Sequence, residues 1–186
     1  MLLTKPMLAD VKGLLYSAIN EMGQDKIRMD VAFDLIACEK YCIEIINKCR
    51  NMLGSEANDE TLATLCEALL HFMLTACLLP SERKVNMHGA DLDVVIPSTR
   101  ILRKNPDKSL VVQVIRVNDL TAKIEHAESV QPISENIWLI SAKQLKTRHR
   151  NYHLDSASLR YSHIVFDISA FMSEKGGLEF KLLPGK

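Results

Sequence analysis

Two aspartates two positions apart, Asp91 and Asp93, stand in the run Gly89-Ala90-Asp91-Leu92-Asp93-Val94-Val95-Ile96. If this run is a strand, side chains two apart share a face, so both carboxylates point the same way. Gly89 falls in line with them and leaves space, while Leu92, Val94 and Ile96 turn to the core. Two like charges so close repel, and a folded chain carries them at low cost only in solvent or around a cation. A second Val-rich run, Leu110 to Val117, offers Gln113, flanked on its own face by Val111 and Ile115. A carboxylate pair plus an amide oxygen is a donor set for hydrated Mg²⁺, which takes hard oxygen ligands. Asp-Leu-Asp also suits a solvated edge face, and the pattern alone leaves both readings open.

Those side chains need elements to hold them. Leu8, Val11, Leu15 and Ile19 recur at helical spacing and predict a helix over 8–22 with Gly23 as its stop. A second helix is expected from Asp25 or Asp30 to Leu53, ended by Gly54. Asn58 or Asp59 caps a third, whose apolar residues from Leu62 to Ala76 cover so much of its surface that it should lie against a sheet; Pro80 closes it. The texture then changes. Strands are expected over 84–97, 110–117, 136–142 and 163–168, with a turn or hairpin loop over 98–109. Asn118 is the expected cap of a helix running to about Ser129. A polar helix or loop covers 143–161, and 178–183 is a candidate short last strand. The class is α/β: N-terminal helices packed on a small mixed sheet, one domain over 1–186 with a helical part to residue 80 and an α/β part from 81.

A helix carrying an acid, a strand of form G-x-x-x-D-hydrophobic-hydrophobic and a hairpin into a further strand resemble the PD-(D/E)xK nuclease superfamily and its restriction-endonuclease-like core. The resemblance covers about residues 60–145. Glu67 sits on the helix, Gly89 and Asp93 match the second motif, and Val111-Val112-Gln113-Val114-Ile115-Arg116 stands where the third belongs. It implies metal-assisted hydrolysis of a phosphodiester, with Asp93 and Gln113 holding Mg²⁺ together with Asp91 or Glu67. The third motif departs from the family: Gln113 replaces its acid and Ile115 its lysine. Arg116 should face the other side of the strand. Lys123, on the next helix, is the candidate replacement lysine, which makes Asp93, Gln113 and Lys123 the catalytic candidates.

The remaining residues narrow the alternatives. With 186 residues, 47% of them apolar, the chain can bury a core, and disorder is excluded. With 23 basic and 23 acidic residues, the zero net charge gives no support for bulk coating of nucleic acid, yet charge is uneven along the chain. Lys143, Lys146, Arg148, Arg150 and Arg160 face only Asp155 in their stretch, so Lys146, Arg148, Arg150 and Arg160 are candidate nucleic-acid contacts, or an ordinary solvated face. His149 and His153, four apart, are expected on a polar surface there. Cys38, Cys42 and Cys49 share a helical face and read as buried hydrophobes, and five cysteines without a CxxC pair fit a reducing cytoplasm. Lys5, Asp10 and Lys12 interrupt the N-terminal apolar run, so no signal peptide is expected, and no stretch is long enough to span a membrane. No phosphate loop or serine elbow is present. Three functions stay open: a degenerate, nucleic-acid-binding nuclease fold; an active metal-dependent phosphodiester hydrolase on DNA or RNA; and a non-catalytic subunit that pairs with a second copy through its N-terminal helices.

Overall fold

A short acid decides how the first half divides. Asp34 is extended (φ −140°), and its carboxylate accepts a hydrogen bond from the Ile36 N–H at 2.9 Å. An Asp in that role satisfies a free N–H of a starting helix and so favours a new start over continuation. The expected long second helix is therefore two. The computed structural model describes residues 7–155 and 158–175, with side chains from residue 11 onward. It begins with α1 (Met7–Met22), α2 (Gln24–Phe33), α3 (Leu35–Leu53) and α4 (Asp59–Ala76). Asn58 caps α4 through the Thr61 N–H at 3.0 Å, as its position predicts. Every residue from Thr61 to Leu70 is buried, and α4 packs on the sheet as well as on α1 and α2.

The sheet has five strands in sequence order: β1 (Glu82–Met87), β2 (Ala90–Ile96), β3 (Leu110–Val114), β4 (Ile137–Ser141) and β5 (Arg150–His153). β1, β2 and β3 run antiparallel, while β3, β4 and β5 are parallel. The run expected as one strand over 84–97 is a hairpin. His88 and Gly89 both have positive φ (55° and 86°), the geometry of a two-residue turn whose twist matches that of paired strands. The stretch expected as a hairpin loop, 98–109, carries a short helix, α5 (Thr99–Lys104), capped by Ser98. α6 (Leu120–Val130) starts after Asp119; Asn118, the expected cap, instead has φ 66°.

Two further expectations fail. β5 lies inside the stretch expected as a polar helix or loop, because its sequence, Arg-Asn-Tyr-His, has no apolar alternation to reveal it. His163 to Ile168, expected as a strand, belongs mostly to α7 (Ile164–Glu174). Ile164, Val165, Ile168 and Met172 are its buried residues, a helical spacing that only a window longer than the six-residue run discloses. The candidate strand over 178–183 lies outside the described residues. Two clusters of core residues result, one on each face of the sheet. The larger joins α1–α4 and α7 to Val94, Ile96, Val112, Val114 and Trp138. The smaller joins α5 and α6 to Leu92, Val95, Val111, Ile115 and Leu139.

Candidate functional site

Strand alternation fails at Asp93, and the site is built on that failure. Leu92 and Val95 pack in the α6-side cluster, whereas Val94 and Ile96 pack on the other side, so the period of two breaks between them. Pairing between β1 and β2 is present at Val85↔Leu92 and Arg83↔Val94 but skips Lys84 and Asp93, and Lys84 has φ 49°. Pairing between β2 and β3 stops at Val94↔Val112. Beyond it, side chains replace the backbone ladder: Gln113 Oε1 accepts from the Asp93 N–H at 2.9 Å, and Asp93 Oδ2 accepts from the Val114 N–H at 2.9 Å.

Asp93 is only 2% exposed in the gap this opens. Lys123 Nζ reaches its Oδ2 at 2.6 Å from the α6 side, and Lys84 Nζ reaches its Oδ1 at 2.9 Å from β1. The same Lys84 ammonium is 2.7 Å from Oε1 of Glu67, which α4 presents from the opposite face. Arg116 pairs with Glu67 Oε2, and also approaches Glu60 at 3.5 Å; Arg83 lies 3.6 Å from Glu67 Oε1. Burial alone would raise both carboxyls. For Asp93 the hydrogen bonds from Lys123 and the Val114 N–H outweigh it, and for Glu67 those from Lys84 and Arg116 do, so both sit below the usual carboxylate range. Burial would lower the Lys84 ammonium, but its bonds to Glu67 and Asp93 raise it. The result is a charged knot of two buried carboxylates and four cations.

Of the residues singled out from sequence, Glu67, Asp93, Gln113 and Lys123 converge here. Asp91 does not. The broken alternation turns it to solvent, where its carboxylate accepts from Asn86 Nδ2 at 2.7 Å. Gln113 is fully buried, and its Nε2 donates to the carbonyls of Asp91 and Lys123, both at 3.1 Å. Those two acceptors fix the amide's orientation and leave its oxygen facing a backbone N–H. Ile115 packs in the α6-side core, and Arg116 turns to α4, as alternation requires. Lys84, Arg83 and the part played by Arg116 were missed. One signal could have found Lys84: a two-residue turn at His88-Gly89 sets it directly across from Asp93.

No protein-family model matches this sequence, and no curated protein matches it. Solved structures do. The restriction endonuclease PspGI in complex with substrate DNA superposes with a TM-score of 0.59 at 13% identity, over 88% of this chain and 93% of that one. Metal-depleted Ecl18kI in complex with uncleaved, modified DNA gives 0.58 at 10% identity, over 91% of this chain and 81% of the other. A second complex of metal-depleted Ecl18kI, with uncleaved DNA, gives 0.52 at 10% identity. The fold is restriction-endonuclease-like.

On this restriction-endonuclease-like fold, the residues present do not fit the Mg²⁺ site that the sequence resemblance implies. Among the described residues, no three His, Cys, Asp or Glu side chains converge on a common point. Mg²⁺ asks for a near-octahedral set of oxygens. Here Asp91 is elsewhere, the Gln113 oxygen is engaged by a backbone N–H, and the Glu67 and Asp93 oxygens face Lys84 between them.

The basic stretch lies around β5. Lys146 is exposed. Arg148 pairs with Glu128 at 2.6 Å, and the Arg150 guanidinium lies 4.9 Å over the Trp138 ring. Both arginines line a groove of about 1020 Å³ that also contains Asp167 and Glu174. Arg160, exposed, forms a β-bridge with His153. His149 and His153 are not on a polar surface: both are buried, and His149 Nε2 lies 3.1 Å from Glu128 Oε1. The strand β5 hides what helical spacing would have exposed.

Proposed function

We propose that this protein binds nucleic acid, with DNA as the first ligand to test, and that its nuclease-like site does not cleave it. The observation that carries this reading is the shared Lys84 ammonium between Glu67 and Asp93. With Lys84, Lys123, Arg116 and Arg83 around two buried carboxylates, the knot carries excess positive charge, and the Lys84 side chain is 55% exposed. The exposed side of Lys84, with Arg83 and Arg116 on the same carboxylate Glu67, suits a backbone phosphate, and Lys146, Arg148, Arg150 and Arg160 supply further cationic groups. The PspGI and Ecl18kI structures are complexes with DNA, which supports DNA as the ligand. Five cysteines outside any disulfide suit a reducing compartment such as the cytoplasm. Among the described residues no helix is long and apolar enough to cross a membrane.

The test measures duplex DNA, single strands and structured RNA by fluorescence anisotropy over a salt series. The same panel, with branched DNA added, is then incubated with Mg²⁺, Mn²⁺ or EDTA, with Asp93→Ala as control. Salt-dependent binding without cleavage supports the reading. Metal-dependent cleavage lost in Asp93→Ala overturns it in favour of a phosphodiester hydrolase, for which the 2.6 Å approach of Lys123 to Asp93 speaks.

A structural role has a different observation in its favour. Met29, Phe33 and Ile36 stand exposed where α2 meets α3, Phe33 by 91%. Apolar groups clustered in this way suit pairing with a second copy. Concentration-dependent sedimentation, abolished by Phe33→Asp, would support that role.

A further inference from the structure

Each buried carboxylate of the knot has a cation of its own. Asp93 has Lys123, and Glu67 has Arg116. Lys84 is different, because it serves both: one ammonium lies 2.7 Å from a Glu67 oxygen and 2.9 Å from an Asp93 oxygen. The two acids come from α4 and β2, on chain segments that nothing in local sequence brings together. Even with those partners, two buried carboxylates facing one another repel, and a cation between them removes that repulsion. The chain provides it from its own edge strand, at a position with φ 49°. Outside a turn, a residue with a side chain adopts that conformation uncommonly.

We propose that the Lys84 ammonium occupies the place of a divalent cation between Glu67 and Asp93, so that this restriction-endonuclease-like site is held together without metal. Removing Lys84 then frees Asp93 Oδ1 and leaves Glu67 Oε1 with Arg83 alone at 3.6 Å, where water can complete the shell of an incoming ion. The replacement explains why Gln113 needs no acidic side chain: with the cation supplied by the protein, its amide is free to stitch β2 to β3 and α6. The inference stands apart from the nucleic-acid reading, since its test contains no nucleic acid.

The experiment titrates Mn²⁺ into wild-type protein, Lys84→Ala and the double variant Lys84→Ala/Asp93→Asn. Bound Mn²⁺ is read by electron paramagnetic resonance, and Tm is recorded in Mn²⁺ and in EDTA. The expected result is no saturable Mn²⁺ and an unchanged Tm for the wild type. Lys84→Ala should bind a single Mn²⁺ per chain and gain Tm with it, since an ion that binds only the folded state stabilises that state. Both effects should vanish in the double variant. Saturable binding by the wild type that Asp93→Asn removes would overturn the proposal, as would a folded Lys84→Ala that ignores Mn²⁺. If Lys84→Ala unfolds in EDTA, refolding in Mn²⁺ decides: recovery supports the proposal. Failure there, with a folded Lys84→Gln that also ignores Mn²⁺, overturns it.

Discussion

Lys123 on α6 and Asp93 on β2 meet at 2.6 Å although thirty positions of sequence separate them. Losing the ammonium leaves Asp93 Oδ2 with the Val114 N–H alone in a buried gap. Lys123→Met should therefore cost about 2 kcal/mol, the scale of a hydrogen bond to a buried charge. Lys143, whose side chain is 72% exposed beside Asp59, makes the contrast; Lys143→Met should cost about 0.5 kcal/mol or less. Urea unfolding midpoints measure both.

Gln113→Glu restores the acid that the family motif carries, and it should damage this protein. Nε2 now donates to two carbonyls, and a carboxylate oxygen in its place would face both with no proton to offer. A loss of about 2 kcal/mol is expected from the two acceptors set against a charge. No metal-dependent cleavage should appear, because Lys84 still stands between the acids. Gel assays with Mg²⁺ and thermal melts test the two halves separately.

Acid should weaken the fold through the knot. Asp93 and Glu67 are held below their ordinary range, so the folded state binds fewer protons than the unfolded chain near pH 4. Their contribution is complete above that range and is lost as pH falls through their depressed folded values. Lys84 is raised, so its contribution is complete below its ordinary range and is lost as pH rises through its folded value. Asp93→Asn should flatten the acid limb of a stability–pH curve and, because Asp93 is one of the two carboxylates that raise Lys84, shrink the alkaline limb as well.

If DNA lies on the β5 region, Lys146→Ala and Arg150→Ala should each lower affinity evenly across sequences. Each should also reduce the slope of log K against log salt by about 1. Arg103→Ala, on α5, is the control. Equal slopes for all three variants would move the DNA-binding surface elsewhere.

How much of this could be read in advance depended on how local the cause was. Asp93 announced itself as an acid inside an apolar strand, and Lys123 was reached by asking what could replace the lysine missing at Ile115. Lys84 was hidden because the strand was read straight through His88-Gly89, whose left-handed pair turns the chain back. Asp91 was misplaced because alternation was assumed to continue past a point where Asp93 itself interrupts the pairing. α7 was misread because six apolar-rich residues fit either period, and Met172, beyond them, completes the helical one. Glu67 was legible as a helix acid, but its burial depends on α4 lying against the sheet, which no single helix records.

The Val114 amide is held by a side chain where a regular strand would offer a carbonyl. Its proton consequently exchanges with solvent at a rate set by how often Asp93 lets go, and its chemical shift follows the charge on that carboxylate. A single backbone resonance thus reports opening of the gap between β2 and β3, with no label attached and no ligand required.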